Sequence, residues 1–356
     1  MQLFSKKERE SGIELFRIIA AIAVVMLHYK SKITAISDSY LWIIVESLCI
    51  WAVNGFLIIS GFFLSRTTKR TWGSILKLIF QYEAIHIVIY CAQLVFGKNT
   101  FTFSNFAHTI LITNYYVVLY TVLYIISPFI NVLINSLKQK QQKVLAVVIM
   151  IVFCIYPTLV DLLEEIVGKE LMGIDSIGAW GSQQGFNILH FCCMYCIGAI
   201  LQNNAIATLN NQKRNILILV FSSTVVVLWA FLVKNLSLHG LRSAWVYHNP
   251  FVVIQAVSAF MLFKNMHLKN RMINCLAPAT LTCFLFHNQI ISRIPFGFFS
   301  SWPSYALLAL GIILCIVSLL VSWFIFVLLD YLYRVILAKN GKKEIYKEDS
   351  INVNKL

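Results

Sequence analysis

Charge is what this chain has least of. Charged residues occupy 12% of its 356 positions, against about a quarter in soluble domains, which excludes an ordinary water-soluble globular protein. Also missing are the ~10-residue segments of alternating apolar and polar residues that a transmembrane β-barrel requires; the apolar runs here are continuous. The nine cysteines lack the spacing of a disulfide framework or a zinc site. Cys192, Cys193 and Cys196 contain a C-x-x-C with no neighbouring ligand pair, so they are expected to be packing thiols, and no metal site is expected. No small-residue cleavage site closes the first apolar segment, which runs straight to the polar His28, so a retained helix is expected. No internal repeat is visible, which weighs against transporters built from inverted repeats.

What is present is apolar sequence, 59% hydrophobic residues with a mean hydropathy of +0.77. Segments at 13–29, 41–64, 73–96, 115–136, 143–167, 186–202, 214–233, 250–266, 275–293 and 304–333 are candidates to cross a ~30 Å hydrocarbon layer. The expected fold class is all-α: a polytopic membrane protein of about ten transmembrane helices. One domain is expected over 1–337, followed by a short polar tail at 338–356. The stretch 101–114, with its "FAHTILIT", is ambiguous between a re-entrant and an interfacial piece.

The net charge of +14 invites a nucleic-acid reading, but the distribution of cations argues otherwise. Lys6, Lys7 and Arg9 precede the first helix; Arg66, Lys69 and Arg70 follow the second. Lys138, Lys140 and Lys143 follow the fourth, Lys213 and Arg214 the sixth, and Lys264, Lys269 and Arg271 the eighth. The C-terminal tail is basic. These outnumber the cations of the intervening loops (Lys30, Lys32, Lys98, Lys169, Lys234, Arg242, Arg293). Such alternation is the positive-inside pattern. It predicts both termini in the cytoplasm, a bilayer as the partner, and no nucleic acid. The acidic stretch from Asp161 to Trp180 fits an outward-facing loop.

Ionisable residues inside a spanning helix cost about 2.5–3.5 kcal/mol on insertion scales and are functional candidates by default. In "RIIAAIAVVMLH" (17–28), Arg17 and His28 are eleven residues apart. Eleven steps of 100° put both on one face, about 16 Å apart along the axis. Arg17 is either a snorkelling residue paired with Glu14 at i,i+3 or part of a site; His28 is either an idle interfacial imidazole or a proton-transfer group. "WAVNGFLIISGFFLSR" (51–66) holds Gly55, Ser60 and Gly61, small enough for close helix packing. Arg66 and Arg70 follow it, explained by orientation bias or by anion binding. Helix three carries Lys77, with Glu83 and His86 spaced to pair on one face. His287, in the ninth segment, and Glu46, at the outer end of the second, fall near the membrane level of His28.

"GIELFRIIAAIAVVMLHY" resembles the first helix of the acyltransferase 3 family of integral membrane acyltransferases, which carries an R-x10-H motif there. "NGFLIISGFFLSR" resembles its second helix, and "NYYVVLYTVLYIISPFINVLI" (114–134) the fourth helix of members that modify exopolysaccharides. "FCCMYCIGAIL" (191–201) and "LTCFLFHNQ" (281–289) resemble two later segments, so the resemblance spans nearly the whole chain in order. The family's dense arginine run and proline after helix two are replaced here by "RTTKRTWGSILKLIFQYE". No SGNH-type esterase domain is expected after helix ten.

The resemblance implies transfer of an acyl group, usually acetyl, from cytoplasmic acyl-CoA as co-substrate to a sugar hydroxyl, with no bound cofactor. The acceptor is a polysaccharide or lipid-linked sugar and the location a bacterial-type plasma membrane. Arg17, Ser60, Gly61, Arg66 and Arg70 are the candidates for acyl-CoA binding. His28 is the candidate general base, with His287 and Glu46 as further catalytic candidates, and Trp180 and Trp245 are candidates to contact the acceptor. These assignments require Arg17 and His28 to line one cavity that a thioester can enter. A proton-coupled transporter or flippase and a non-catalytic subunit of a polysaccharide assembly complex are the alternatives.

Overall fold

A bilayer offers no water to backbone N–H and C=O groups, so a chain of continuous apolar segments satisfies them internally, as helices. The computed structural model describes residues 10–33, 39–67, 70–236, 238 and 242–339. Lys6, Lys7, Arg9, Lys69 and the expected tail from 340 onward lie outside the described residues. Among the described residues there are fifteen α-helices and no strand. They are α1 (Ser11–Ile33), α2 (Tyr40–Cys49), α3 (Ala52–Leu64), α4 (Trp72–Val95), α5 (Phe103–Ile110), α6 (Tyr115–Ser136), α7 (Gln139–Met150) and α8 (Tyr156–Val167). There follow α9 (Ile188–Gln202), α10 (Gln212–Asn235), α11 (Arg242–Trp245), α12 (Pro250–Lys264), α13 (Arg271–Leu276), α14 (Thr280–Ile291) and α15 (Ser304–Lys339).

The protein is an all-α polytopic membrane protein. Among the described residues, eight helical stretches are long and apolar enough to cross a membrane. Two of the ten expected segments differ from the rest. The 186–202 segment is the 15-residue α9, about 22 Å long and so shorter than a full crossing. The 275–293 segment is broken: α13 leads through a 3-10 turn at Ala277–Ala279 into α14. The ambiguous stretch at 101–114 contains the short helix α5, none of whose residues is buried.

Irregularities have local causes. The break between α2 and α3 falls at Ile50 and Trp51, where the Trp51 indole N–H donates to Leu48 O at 2.9 Å. A side chain thus takes a carbonyl from the helical ladder, a recognised origin of kinks. Pro128 inside α6 has no N–H to offer Tyr124 O; Ser127 Oγ donates to that carbonyl instead, at 2.7 Å. A π-helical turn at Ile151–Ile155 joins α7 to α8.

α1 is the hub, packed against α2, α3, α12, α13, α14 and α15. Phe16 stacks on Trp51 at 5.2 Å and meets Phe260 edge-on at 5.6 Å, all within one buried core. α3 and α9 approach closely through two glycines. A Cβ on Gly61 would sit 2.0 Å from Tyr195 O, and one on Gly198 would sit 2.2 Å from Ile58 O. Toward the outside, α10 and α15 present large apolar side chains such as Leu217 and Phe324, the surface a lipid environment covers. The arrangement therefore places Arg17 and His28 in the interior of the bundle and not on its lipid face.

Candidate active site

At one end of the bundle, α1 presents Arg17. Its guanidinium makes a 3.6 Å ion pair with Glu14 and lies 5.8 Å from the centre of the Phe63 ring of α3. Arg17 also lines a cavity of about 190 Å³ enclosed mainly by α1, α3, α4, α6 and α14. Ser60, Gln81, Tyr120 and Lys77 share that wall, which is otherwise largely apolar (Phe56, Ile59, Leu78, Leu281). Ser60 Oγ donates to Phe56 O at 2.9 Å and lies 3.4 Å from the Tyr120 hydroxyl.

Three turns along, α1 presents His28 to α14. The His28 and His287 ring centroids are 4.7 Å apart, tilted by 54°. His287 is buried, and its Nδ1 is 2.9 Å from Cys283 O. A carbonyl only accepts, so Nδ1 holds the proton and Nε2 carries the lone pair. That Nε2 is buried and meets no hydrogen-bonding group among the described residues. The pair of imidazoles is thus held on two helices with one nitrogen fixed as an acceptor. The spacing that put Arg17 and His28 on one face of α1 has no counterpart that would have found His287 as a neighbour; the packing of α1 on α14 supplies it.

Neither histidine lines the cavity. Its wall includes Tyr116 and Phe284, whose rings are 4.7 Å apart, and the Phe284 ring is 6.1 Å from that of His287. Phe284 is thus the side chain that adjoins both the Arg17 cavity and the histidine pair.

The other expected donor residues are placed as follows. Gly61 is directed at the Tyr195 backbone, away from the cavity. Arg66 is exposed, donates to Gln202 Oε1 at 2.9 Å and lies over the Phe62 and Phe63 rings. Arg70 donates through Nε to Ser127 Oγ at 2.8 Å, and through Nη1 and Nη2 to Thr67 O at 2.8 Å and Leu64 O at 3.1 Å. Its guanidinium thereby caps the carbonyl end of α3, the position where a cation is favoured by the helix dipole. His86 stacks on Tyr82, and its Nδ1 is 2.8 Å from Tyr82 O.

At the His28 end, Lys30 forms an ion pair with Glu46 and lies 4.7 Å over the Trp245 ring, whose N–H donates to Ser47 Oγ at 2.9 Å. Glu46 and Trp245 thus join one cluster two residues beyond His28. Trp180 stands apart, 78% exposed, on the rim of a second cavity of about 360 Å³ with Asp161, Glu164, Glu165 and Gln184. Asp161 and Glu165 belong to α8 and not to the loop, which begins at Gly168 in a left-handed conformation. Asp161 accepts from Ser182 Oγ at 3.0 Å and is 2.9 Å from His248 Nε2. Glu165 accepts from the Ser243 N–H at 2.7 Å and from its hydroxyl. Burial lifts the Asp175 carboxyl in this loop above the usual carboxylate range, reinforced by the nearby Asp161 charge and opposed by the Ile177 N–H. Asn54 connects this region to α3: it donates to Tyr247 O at 2.7 Å and is 2.8 Å from the buried His190 Nε2. Nothing in the local sequence pattern of Asn54 or His190 indicates that link. All nine cysteines are free thiols, and no metal-ligating cluster occurs among the described residues.

The acyltransferase-domain family profile matches residues 10–327, which include every residue of the site described above. The chain belongs to the acyltransferase 3 family. No curated protein and no solved structure shows a significant match. As an acyltransferase 3 protein, the chain is a membrane acyltransferase, and its R-x10-H helix is the one whose two polar ends meet the cavity and the histidine pair.

Proposed function

We propose that the protein is an O-acyltransferase that moves an acyl group, with acetyl favoured, from cytoplasmic acyl-CoA to a hydroxyl of a cell-surface or lipid-linked saccharide. The observation that carries this reading is the histidine pair: His28 and His287, 4.7 Å apart, on the helix whose other end carries a cavity-lining guanidinium. The Arg17 end faces the cytoplasm and the His28 end the outer leaflet. In this scheme the donor's acyl-pantetheine arm enters beside Arg17 and Ser60. Arg66, across Phe63 from Arg17, adds positive charge at the cytoplasmic mouth, while Gly61 and Arg70 hold the end of α3 in place.

The chemistry needs one base and one fixed acceptor. His28 takes the proton of the acceptor hydroxyl as its oxygen attacks the thioester carbonyl. The C–O bond forms, the C–S bond breaks, and the departing thiolate recovers a proton from the His28 imidazolium. Imidazole suits both transfers because its reference pKa of about 6.5 lies near working pH. His287, with Nε2 as acceptor, orients His28 or the incoming hydroxyl. Glu46 holds Lys30 against Trp245, and Trp245 and Trp180 offer aromatic faces to the sugar.

The test is transfer of label from acetyl-CoA to an envelope glycan by purified protein. His28→Ala abolishes transfer while the protein still inserts and folds. Arg17→Ala raises the KM for acyl-CoA about 10-fold or more, the scale of a lost charge-assisted bond. Near-normal turnover in His28→Ala would overturn the assignment of the base.

A further inference from the structure

Among the described residues, two cations line the donor cavity and no acidic side chain does. Arg17 is one; the other is Lys77 of α4, whose intramembrane position the sequence leaves without a role. The Lys77 ammonium is 2.5 Å from Asp330 Oδ1 on α15 and lies 5.7 Å over the Phe326 ring. The other carboxylate oxygen of Asp330 accepts from Arg334 Nε at 2.7 Å. Each cavity cation therefore has a carboxylate partner outside the cavity wall: Glu14 for Arg17 and Asp330 for Lys77.

Arg17 lies six residues into α1 and Lys77 five residues into α4. At 1.5 Å per residue that is about 9 Å and about 8 Å from the two helix starts. Both starts lie at the same end of the bundle, because α1, α3 and α4 run alternately. The two cations are level with each other, on an otherwise uncharged wall. An unpaired lysine inside the membrane is costly, so Asp330 neutralises it while the donor is absent. A phosphate, with more charge and more acceptor oxygens than a carboxylate, competes for the same ammonium.

We infer that Lys77 and Arg17 together form the phosphate-binding pair of the donor cavity, and that Asp330 is the internal anion which the donor phosphate displaces from Lys77. This rests on the donor being a CoA thioester. In Lys77→Met, Asp330 keeps its contact with Arg334, so no buried carboxylate is stranded. In Asp330→Asn, Lys77 loses its competitor and stays on the cavity wall.

The experiment is calorimetric titration of free coenzyme A into the purified full-length protein, paired with steady-state kinetics. Lys77→Met is expected to weaken binding about 10-fold or more and to raise the KM for acetyl-CoA with little change in kcat. Asp330→Asn is expected to tighten binding about threefold or more, an opposite sign that a failure of folding cannot mimic. Wild-type affinity in Lys77→Met, or a loss of affinity in Asp330→Asn, overturns the assignment and makes the ion pair structural only. Failure of the wild-type protein to bind coenzyme A at all overturns the CoA-donor reading itself.

Discussion

Phe284 stands between the two groups that the proposed reaction must bring together. It lines the Arg17 cavity one helical turn before His287 on α14, so in the proposed reaction the acyl arm passes beside it. Tyr116 of α6 is buried, and Phe284 of α14 packs against it. Phe284→Trp, which adds bulk at this point, is expected to lower kcat about 10-fold or more while leaving coenzyme A affinity unchanged, since a misplaced reacting group is costly. Comparing calorimetric binding with turnover for this variant checks it. An equal fall in both would show that Phe284 belongs to the binding wall alone.

At the level of elements, the α3–α9 contact sets the position of Ser60 and of the Phe63 ring. Its closeness depends on Gly61 and Gly198, where an added Cβ would lie about 2 Å from the partner backbone. Gly198→Val is therefore expected to destabilise by about 1–3 kcal/mol, the range for overpacking, and to lower the melting temperature of the detergent-solubilised protein. Gly178→Ala is the control: nothing lies within 4 Å of the position its Cβ would take, and no change is expected. The elements themselves were legible because each long apolar run has one stable form in a bilayer, and the one-face relation of Arg17 to His28 follows from helical periodicity. The pairing of His28 with His287 was not legible. Nor was that of Lys77 with Asp330, which joins positions 253 residues apart; a local pattern carries no information on which distant helix packs opposite. Arg66 and Arg70 show the converse limit. Residue type leaves them open between orientation bias and anion binding, because the direction of a long side chain is set by its neighbours, and Arg70 is directed at Ser127 and the end of α3.

For the whole molecule, the proposed orientation puts Arg17, Lys77 and the α6–α7 turn toward the cytoplasmic side and the α8–α9 loop outside. A membrane-impermeant maleimide applied to intact cells is then expected to label Trp180→Cys, and to label Lys138→Cys only after permeabilisation, in a background cleared of accessible native thiols. Labelling of Lys138→Cys in intact cells would invert the topology and place the donor cavity on the wrong side for a cytoplasmic thioester. On the side that this orientation turns outward, one helix end braces two loops. Asp161 and Glu165 at the end of α8 hold Ser182, His248 and Ser243, which ties the two loops flanking α9 and α12 to one helix terminus.

The aromatic contact between Tyr116 and Phe284 has an electrical consequence as well, on the proposed reading. A continuous wet passage from the Arg17 guanidinium to the His28 imidazole would let hydronium leak across the membrane. Closely packed rings at this point would confine such a leak to the moments when a thin acyl arm forces them apart.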